Sequence, residues 1–248
     1  MSNLIRVPKV IHQIWDDTFN PLPNQFAILS KTWRYHYPDW QYEFWDNRRI
    51  NQFILDYYPD LWEAFISFKY NIQRCDAIRY LILKTHGGMY VDFDYESIRP
   101  LDKVICGKTC CFSQEPASHY KNKGPKFFFF NNALMVTTPD HFFINKIVEK
   151  VFSKENINKT FNDKIRAVFE TTGPFVINQL YRELTKEETS HIYLIPPEYV
   201  SPFDLNQSYW IRNNKINTFL EERLRDSYAV HYFLGTWVPG RNEIDNLK

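Results

Sequence analysis

The chain has 248 residues, with 44% hydrophobic and 24% charged residues. This is ordinary globular usage for about one well-cored domain, and it excludes a disordered or fibrous chain. The formal net charge of +1 offers no broad attraction for a polyanion, so nucleic acid is not an expected partner.

The first part of the chain alternates short apolar runs with helical patterns. Its predicted elements are a strand over 9–15, a helix from Asn24 to just before Pro38, a strand over 41–45, and helices over 48–57, 61–70 and 72–86. Asp60 follows Pro59 and is the predicted N-cap of the helix over 61–70. The helix over 72–86 has the clearest apolar stripe, and Gly87 ends it.

The rest of the chain continues the same alternation. Its predicted elements are strands over 89–94, 109–113 and 126–136, helices over 139–152 and 174–184, and strands over 192–195 and 228–233. Alternating strands and helices predict an α/β fold with a mostly parallel central sheet flanked by helices. The segment 209–228 mixes aromatic, apolar and basic residues, which predicts a packed amphipathic helix or, as the alternative, a peripheral contact with a membrane surface.

The seven glycines exclude two ways of binding nucleotides. No segment matches GxGxxG or the P-loop pattern, so neither backbone cradle for phosphate is present. Any bound phosphate must therefore be held by other means. The four cysteines form no CxxC pair, which indicates free or buried thiols in a reducing compartment.

Two carboxylates follow the glycine pair at the end of a predicted strand. Asp92 and Asp94 are two positions apart, so both side chains can project from one face and converge on a space about one ion wide. Carboxylate oxygens suit Mg²⁺ or Mn²⁺, which neutralises a diphosphate where no P-loop does. The alternative is an ordinary strand end with two solvated acids.

Three further side chains have both a structural and a functional interpretation. Asp76 and Arg79 share a helix face at i, i+3, either as a surface ion pair or as ligands of a sugar or phosphate. Trp15 ends the first strand, where it either belongs to the core or offers a flat face for a nucleobase.

The ordered motifs of the first 105 or so residues together resemble those of family 32 of the glycosyltransferases, the DXD-containing relatives of yeast α-1,6-mannosyltransferase and, more distantly, of clostridial toxin glucosyltransferases. The motifs that carry the resemblance are Pro8–Trp15, Trp40 with Trp45-Asp46, Arg74–Tyr80 and Gly87–Asp94. Later landmarks that look like the family's are Asn131-Asn132-Ala133 before Pro139-Asp140-His141, Thr172-Gly173-Pro174 and His231–Trp237.

The resemblance implies a GT-A fold of the Rossmann-like, nucleotide-sugar-binding type and a retaining transfer that depends on Mn²⁺ or Mg²⁺. It implies catalytic roles for Asp92 and Asp94, with Asp94 and His231 as metal ligands. The donor-binding residues that it implies are Trp15, Asp76, Arg79, Asp92, Trp237, Asn131 and Asn132. For the two asparagines, buried turn amides are the structural alternative.

The expected function is the transfer of a hexose from a UDP- or GDP-sugar to a glycan or lipid-linked glycan, as in bacterial capsule or surface-polysaccharide synthesis. The expected organisation is a single domain over 1–248, with donor motifs in 8–105 and an acceptor side with the completing metal ligand in 106–240. Without an apolar leader or a spanning segment, a cytoplasmic location, peripheral on the inner face of the membrane as the alternative, is expected. The alternative functions are a toxin-like transferase that modifies a protein and a non-catalytic carbohydrate-binding protein.

Overall fold

The computed structural model describes residues 6–18, 20–120, 129–215 and 217–238. Its strands are β1 (Val10–Ile14), β2 (Gln41–Trp45), β3 (Gly88–Val91), β4 (Tyr95–Ser97), β5 (Cys110–Gln114), β6 (Phe130–Thr137), β7 (Tyr193–Ile195) and β8 (Ala229–His231). Its helices are α1 (Asn24–His36), α2 (Asn47–Tyr57), α3 (Trp62–Ser67), α4 (Asn71–His86), α5 (Asp102–Ile105), α6 (Phe142–Val151), α7 (Lys154–Ile157), α8 (Lys164–Thr171), α9 (Pro174–Arg182), α10 (Lys186–Ser190), α11 (Pro197–Val200), α12 (Leu205–Arg212) and α13 (Thr218–Leu224). None of the helices in these ranges is long and apolar enough to cross a bilayer.

A mixed sheet of six strands forms the centre, in the order β2-β1-β3-β6-β5-β7. β1 pairs in parallel with β2 and β3, and β5 pairs in parallel with β7, whereas β6 is antiparallel to both of its neighbours. The predicted mostly parallel sheet is confirmed. Because β6 runs the other way, its first residues lie at the same sheet edge as the carboxyl ends of β1, β3 and β5.

Helices cover both faces of the sheet, and the strands alternate between the two cores. In β3, Tyr90 packs into one apolar cluster with residues of α2, α4, α6 and α9, while Met89 and Val91 pack into the other with Trp33 of α1. Successive side chains of a strand point to opposite faces. Burial on both faces therefore explains why β3 is apolar throughout rather than alternating.

The Gly87-Gly88 turn fixes the angle between α4 and β3. Both residues have a positive φ, at 62° and 93°, which favours glycine. A Cβ on Gly88 would lie 2.5 Å from both Cγ1 and the carbonyl oxygen of Val10. His12 accepts a hydrogen bond at Nδ1 from Trp45 (3.1 Å) and donates from Nε2 to the Gly87 carbonyl (3.0 Å), so three motifs of the sequence meet beside this turn.

Several predicted boundaries are wrong. β3 ends at Val91, and Asp92 and Asp94 lie in a turn before β4. In place of the helix over 61–70 there is a 3₁₀ turn followed by α3, because Phe68 turns to an extended conformation to place its ring in the core. Asp60 lies within that 3₁₀ turn and caps nothing, and α1 begins at Asn24 with Pro23 at its N-cap.

Two other predictions concern the later part of the chain. β6 begins at Phe130, and residues 126–128 of the strand predicted over 126–136 lie outside the described residues. The single packed helix predicted over 209–228 is wrong, since this segment contains the end of α12 and all of α13. Tyr209, Trp210 and Phe219 are exposed there.

Candidate active site

A cavity of about 550 Å³ opens at the sheet edge where β1, β3 and β5 end and β6 begins. Its lining includes every residue for which the sequence predicts a role: Trp15, Asp76, Arg79, Asp92, Asp94, Asn131, Asn132, His231 and Trp237. The fold thus brings together in one cavity residues from both ends of the chain. Ligands of open α/β sheets gather at this edge.

The two acids of the motif occupy different environments within one tight turn. Asp92 has 31% of its side chain exposed, and Asp94 has 12%. Asp92 accepts a hydrogen bond from the Tyr90 hydroxyl at 2.5 Å, while its backbone N–H donates to the Ala133 carbonyl. Burial raises the pKa of Asp92, an effect that Arg79 opposes and the Asp94 carboxylate reinforces.

Arg79 is a buried side chain that joins two of the predicted acids. Its guanidinium lies 2.9 Å from Asp76 and 3.2 Å from Asp92, and it also donates to the Asn132 carbonyl at 2.9 Å. Its plane lies over the ring of Tyr90. Only 3% of the Arg79 side chain and 6% of the Asp76 side chain are exposed. The two residues do form an ion pair, but the alternative that placed this pair at the surface is wrong.

Asp76 is held by neutral donors as well as by Arg79. Its two oxygens accept hydrogen bonds from the Asn132 amide (3.0 Å) and the Thr172 hydroxyl (3.1 Å). Burial nevertheless raises the pKa of Asp76 to about 6, against the opposing influence of Arg79. A carboxyl group whose pKa is raised by burial beside a specific cationic partner is common at functional sites.

The two asparagines lie at the start of β6 and are not turn residues. The Asn132 side chain donates to Tyr80 as well as to Asp76. The Asn131 side chain donates to Glu115 at 2.6 Å and accepts from the backbone N–H of Ala133. Their amides thus orient the acids of the cavity wall.

Asp94 meets His231 because β4 and β8 form a second, two-stranded sheet. Tyr95 pairs with His231 in this ladder, and their rings stack with centroids 4.2 Å apart. The His231 Nε2 atom lies 3.3 Å from Asp94 Oδ1, and the backbone N–H of Leu234 donates to Asp94 Oδ2 at 2.9 Å. Burial opposes both charges, but the pairing lowers the pKa of Asp94 and raises that of His231.

The chemistry of these donors fits a divalent ion. Asp94 and His231 offer a carboxylate and an imidazole side by side, which suit Mn²⁺ and, for the carboxylate, Mg²⁺. Residues 6–18, 20–120, 129–215 and 217–238 contain no cluster of three or more His, Cys, Asp or Glu side chains arranged to hold a metal. The cavity lining carries five carboxylates against the cations Arg79 and Lys164, a charge balance that favours a cation.

Two half-buried tryptophans line the cavity. Trp15 has edge contacts with Phe26 and Phe93, and its indole N–H donates to the Asn20 carbonyl at 2.9 Å. The ring of Trp237 packs edge-on against Phe169, 6.0 Å away between centroids. Both leave part of the ring at the cavity, and neither is a fully buried core residue.

Three charged residues of the lining, Asp16, Glu115 and Lys164, were missed from the sequence. Glu115 directly follows β5 at the same edge, so the strand-end rule that selects Asp92 could have found it. Lys164 begins α8 and donates to the Trp237 carbonyl at 2.7 Å. No pattern in the sequence pointed to Lys164.

Comparison with known proteins gives the class. Residues 23–111 match the family model described as the glycosyltransferase sugar-binding region containing a DXD motif. Asp92-Phe93-Asp94 is the DXD of that region. This part of the chain thus matches the sugar-binding region of DXD-containing glycosyltransferases, and the resemblance to those transferases is confirmed.

Two relatives and one solved structure narrow the comparison. Inositol phosphoceramide mannosyltransferase 1 of Schizosaccharomyces pombe is 29% identical over 177 residues, which cover 70% of this chain and 50% of the relative. An uncharacterised glycosyltransferase, L373, of Acanthamoeba polyphaga mimivirus is 27% identical over 235 residues, 94% of this chain and 84% of that protein. The chain thus spans about half the length of the fission yeast relative. The PaToxG glycosyltransferase superimposes with a TM-score of 0.52 at 18% identity, over 90% of this chain and 89% of that one, which supports the GT-A fold.

Proposed function

We propose that the chain transfers a hexose from a UDP- or GDP-sugar to a glycan or lipid-linked glycan, with retention of configuration and with Mn²⁺ or Mg²⁺. The observation that carries the proposal is the pairing of Asp94 with His231 at a cavity that Arg79, Asp76 and Asp92 also line. A carbohydrate-binding protein needs no such pair. A hydrolase with two ions about 4 Å apart would need a second set of ligands.

In this proposal, different cavity residues bind different parts of the nucleotide-sugar donor. Trp15 stacks on the nucleobase at the end of β1. Asp92 and Asp76, whose orientation Arg79 fixes, accept hydrogen bonds from ribose and sugar hydroxyls. Asn131 and Asn132 bind sugar hydroxyls, and Trp237 donates its indole N–H to the departing phosphate. The acceptor hydroxyl then attacks the anomeric carbon as the nucleoside diphosphate leaves.

Asp94 and His231 would hold the ion against the diphosphate. When bound, the ion supplies charge neutralisation to the departing diphosphate. His231 is fixed for this task by its stacking on Tyr95 and by the β4–β8 ladder. Asp94 is fixed by the backbone N–H of Leu234.

The acceptor side is assigned to residues 106–240 of a single transferase domain. The name of the fission yeast relative, an inositol phosphoceramide mannosyltransferase, supports mannose as the first sugar to test and a lipid-borne acceptor. The setting that the sequence suggested for this transfer is bacterial capsule synthesis. In that setting the enzyme lies in the cytoplasm or peripherally on the inner face of the membrane. Toxin-like modification of a protein is the alternative.

The test is nucleotide release from a panel of UDP- and GDP-sugars, with Mn²⁺, with Mg²⁺ and with EDTA. We expect slow hydrolysis of one donor that EDTA abolishes, and a rate at least about 100-fold lower for Asp94→Asn because a neutral amide is a poor ligand of a hard cation. Asp56→Asn, at an exposed helix position, is the matched control.

Silence of the wild-type chain across the panel, with a plausible acceptor supplied, would overturn the proposal. Sugar binding without any turnover would favour the carbohydrate-binding alternative. Equal rates for Asp94→Asn and Asp56→Asn would show that Asp94 takes no part in the reaction.

A further inference from the structure

Glu115 is a carboxylate of the cavity wall that the proposed donor site does not use. It directly follows β5, it lines the cavity, and only 11% of its side chain is exposed. Its backbone N–H donates to the Phe129 carbonyl at 2.8 Å, which ties it to the chain entering β6. A carboxylate buried to this degree needs hydrogen-bond donors.

Two donors from different elements fix the orientation of this carboxylate. Asn131 Nδ2 donates to Oε1 at 2.6 Å, and His119 Nδ1 lies 2.5 Å from Oε2. The backbone N–H of Leu205 donates to His119 Nε2 at 3.0 Å, so Nε2 is an acceptor and the ring proton of the neutral imidazole is on Nδ1. Glu115 is therefore held as an acceptor by two N–H groups. A carboxylate has about four lone-pair positions, of which these bonds use two.

The strand order gives Glu115 a defined place along the cavity. The edge runs from Trp15 at β1 through Asp92 at β3 and Asn131 at β6 to Glu115 at β5. Three inter-strand spacings, about 14 Å, separate the first of these strands from the last. A donor whose base stacks on Trp15 and whose diphosphate lies near Asp94 therefore extends its sugar towards Asn131 and Glu115.

We propose that Glu115 accepts a hydrogen bond from a hydroxyl of the transferred hexose on the side remote from the nucleotide, and so selects among hexoses. His119 acts through Glu115 as a positioning residue, and Asn131 orients the same carboxylate in addition to its own part in the donor site. The inference rests on the proposed function and names the residue that distinguishes one sugar from another within that site. An axial or an equatorial hydroxyl reaches a fixed carboxylate differently, and a buried acceptor left without its donor is costly.

The test compares binding of a nucleoside diphosphate with binding of the corresponding nucleotide sugar, by calorimetry in Mn²⁺. The probes are GDP, GDP-mannose and GDP-mannoses that lack one hydroxyl each, or UDP and the UDP-glucose set if the donor panel selects uridine. We expect Glu115→Gln to bind the nucleoside diphosphate like wild type and to bind the full donor roughly 10- to 100-fold more weakly, the scale of a hydrogen bond to a charged group. Glu155→Gln, at an exposed position, is the matched control.

One of the donors that lack a hydroxyl should bind wild type as weakly as the full donor binds Glu115→Gln. Binding of that same deoxygenated donor to Glu115→Gln should be no weaker still. If Glu115→Gln fails to fold, Glu115→Asp replaces it in the test. Aspartate keeps the charge on a side chain that is one methylene shorter, so it should show the same selective loss of donor binding. Independent losses for every deoxygenated donor, or equal losses for diphosphate and donor, would overturn the inference while leaving the proposed function intact. Absence of nucleotide binding by wild type would overturn the proposed function, and this inference with it.

Discussion

A single guanidinium organises the acidic side of the cavity. Arg79 contacts Asp76, Asp92 and the Asn132 carbonyl at once, and its planar fork of N–H donors holds these partners in a fixed geometry. The i, i+3 spacing predicted the first contact correctly. It could not predict the second contact or the burial, because these depend on β6 packing its carbonyls and amides against α4.

His12 is the residue for which we expect a clear pH effect on stability. Burial lowers its pKa to about 4, partly offset by the hydrogen bond to the Gly87 carbonyl. In the unfolded chain its pKa is near the ordinary value of about 6.5. As the pH falls from about 6.5 to about 4, the unfolded chain binds a proton at His12 before the folded chain does. The contribution of His12 to the free energy of unfolding is therefore lost over this range.

We therefore predict that the difference in free energy of unfolding between wild type and His12→Gln becomes about 3 kcal/mol smaller as the pH falls from about 6.5 to about 4. Glutamine keeps a donor near the position of Nε2 but does not titrate. Chemical denaturation at a series of pH values measures the difference, and the same substitution at the exposed His191 is the control. A difference that does not change with pH would show that His12 is not kept neutral by the fold.

The elements around the glycine pair were the easiest to predict from the sequence. β1, β2 and α4 fall within about one residue of their predicted bounds, because proline, glycine and apolar spacing mark their ends locally. β4 was not predicted at all. A strand of three residues has no periodicity to detect, and β4 is a strand only because β8 pairs with it.

At the level of this turn, we predict that Gly88→Ala lowers the free energy of unfolding by about 2 to 4 kcal/mol. The substitution combines an unfavourable positive φ with a clash against the backbone of Val10. Gly107→Ala is a matched control, because Gly107 also has a positive φ but nothing lies within 4 Å of an added Cβ. It should cost about 1 kcal/mol. Equal losses for the two variants would contradict the packing argument.

The whole molecule assembles its site from segments that are far apart in the sequence. Trp15 directly follows the first strand, and His231 and Trp237 lie among the last described residues. The sequence pointed to Trp15 through its place at a strand end, and to His231 and Trp237 through a family resemblance. It could not show that Lys164 joins them, because the neighbours of Lys164 are set by the packing of α8.

A ligand that bridges these segments should therefore stabilise the entire fold. With Mn²⁺ and the preferred nucleoside diphosphate at about 100 times the dissociation constant, we predict a gain of about 2.7 kcal/mol. For a chain of this size that corresponds to a rise of roughly 5 to 10 °C in Tm. EDTA or Asp94→Asn should remove most of the rise, and thermal denaturation measures it. An equal rise in EDTA would contradict a metal-bridged diphosphate.

The contact between Asp94 and the segment after β8 spans 140 positions of the chain. During translation, the acidic motif leaves the ribosome long before its histidine partner has been synthesised. A nascent chain can complete β3 and its aspartates but cannot form the Asp94–His231 pair until polymerisation reaches the end of β8. A premature stop before β8 would therefore leave a polypeptide that carries the DXD signature but lacks the pair.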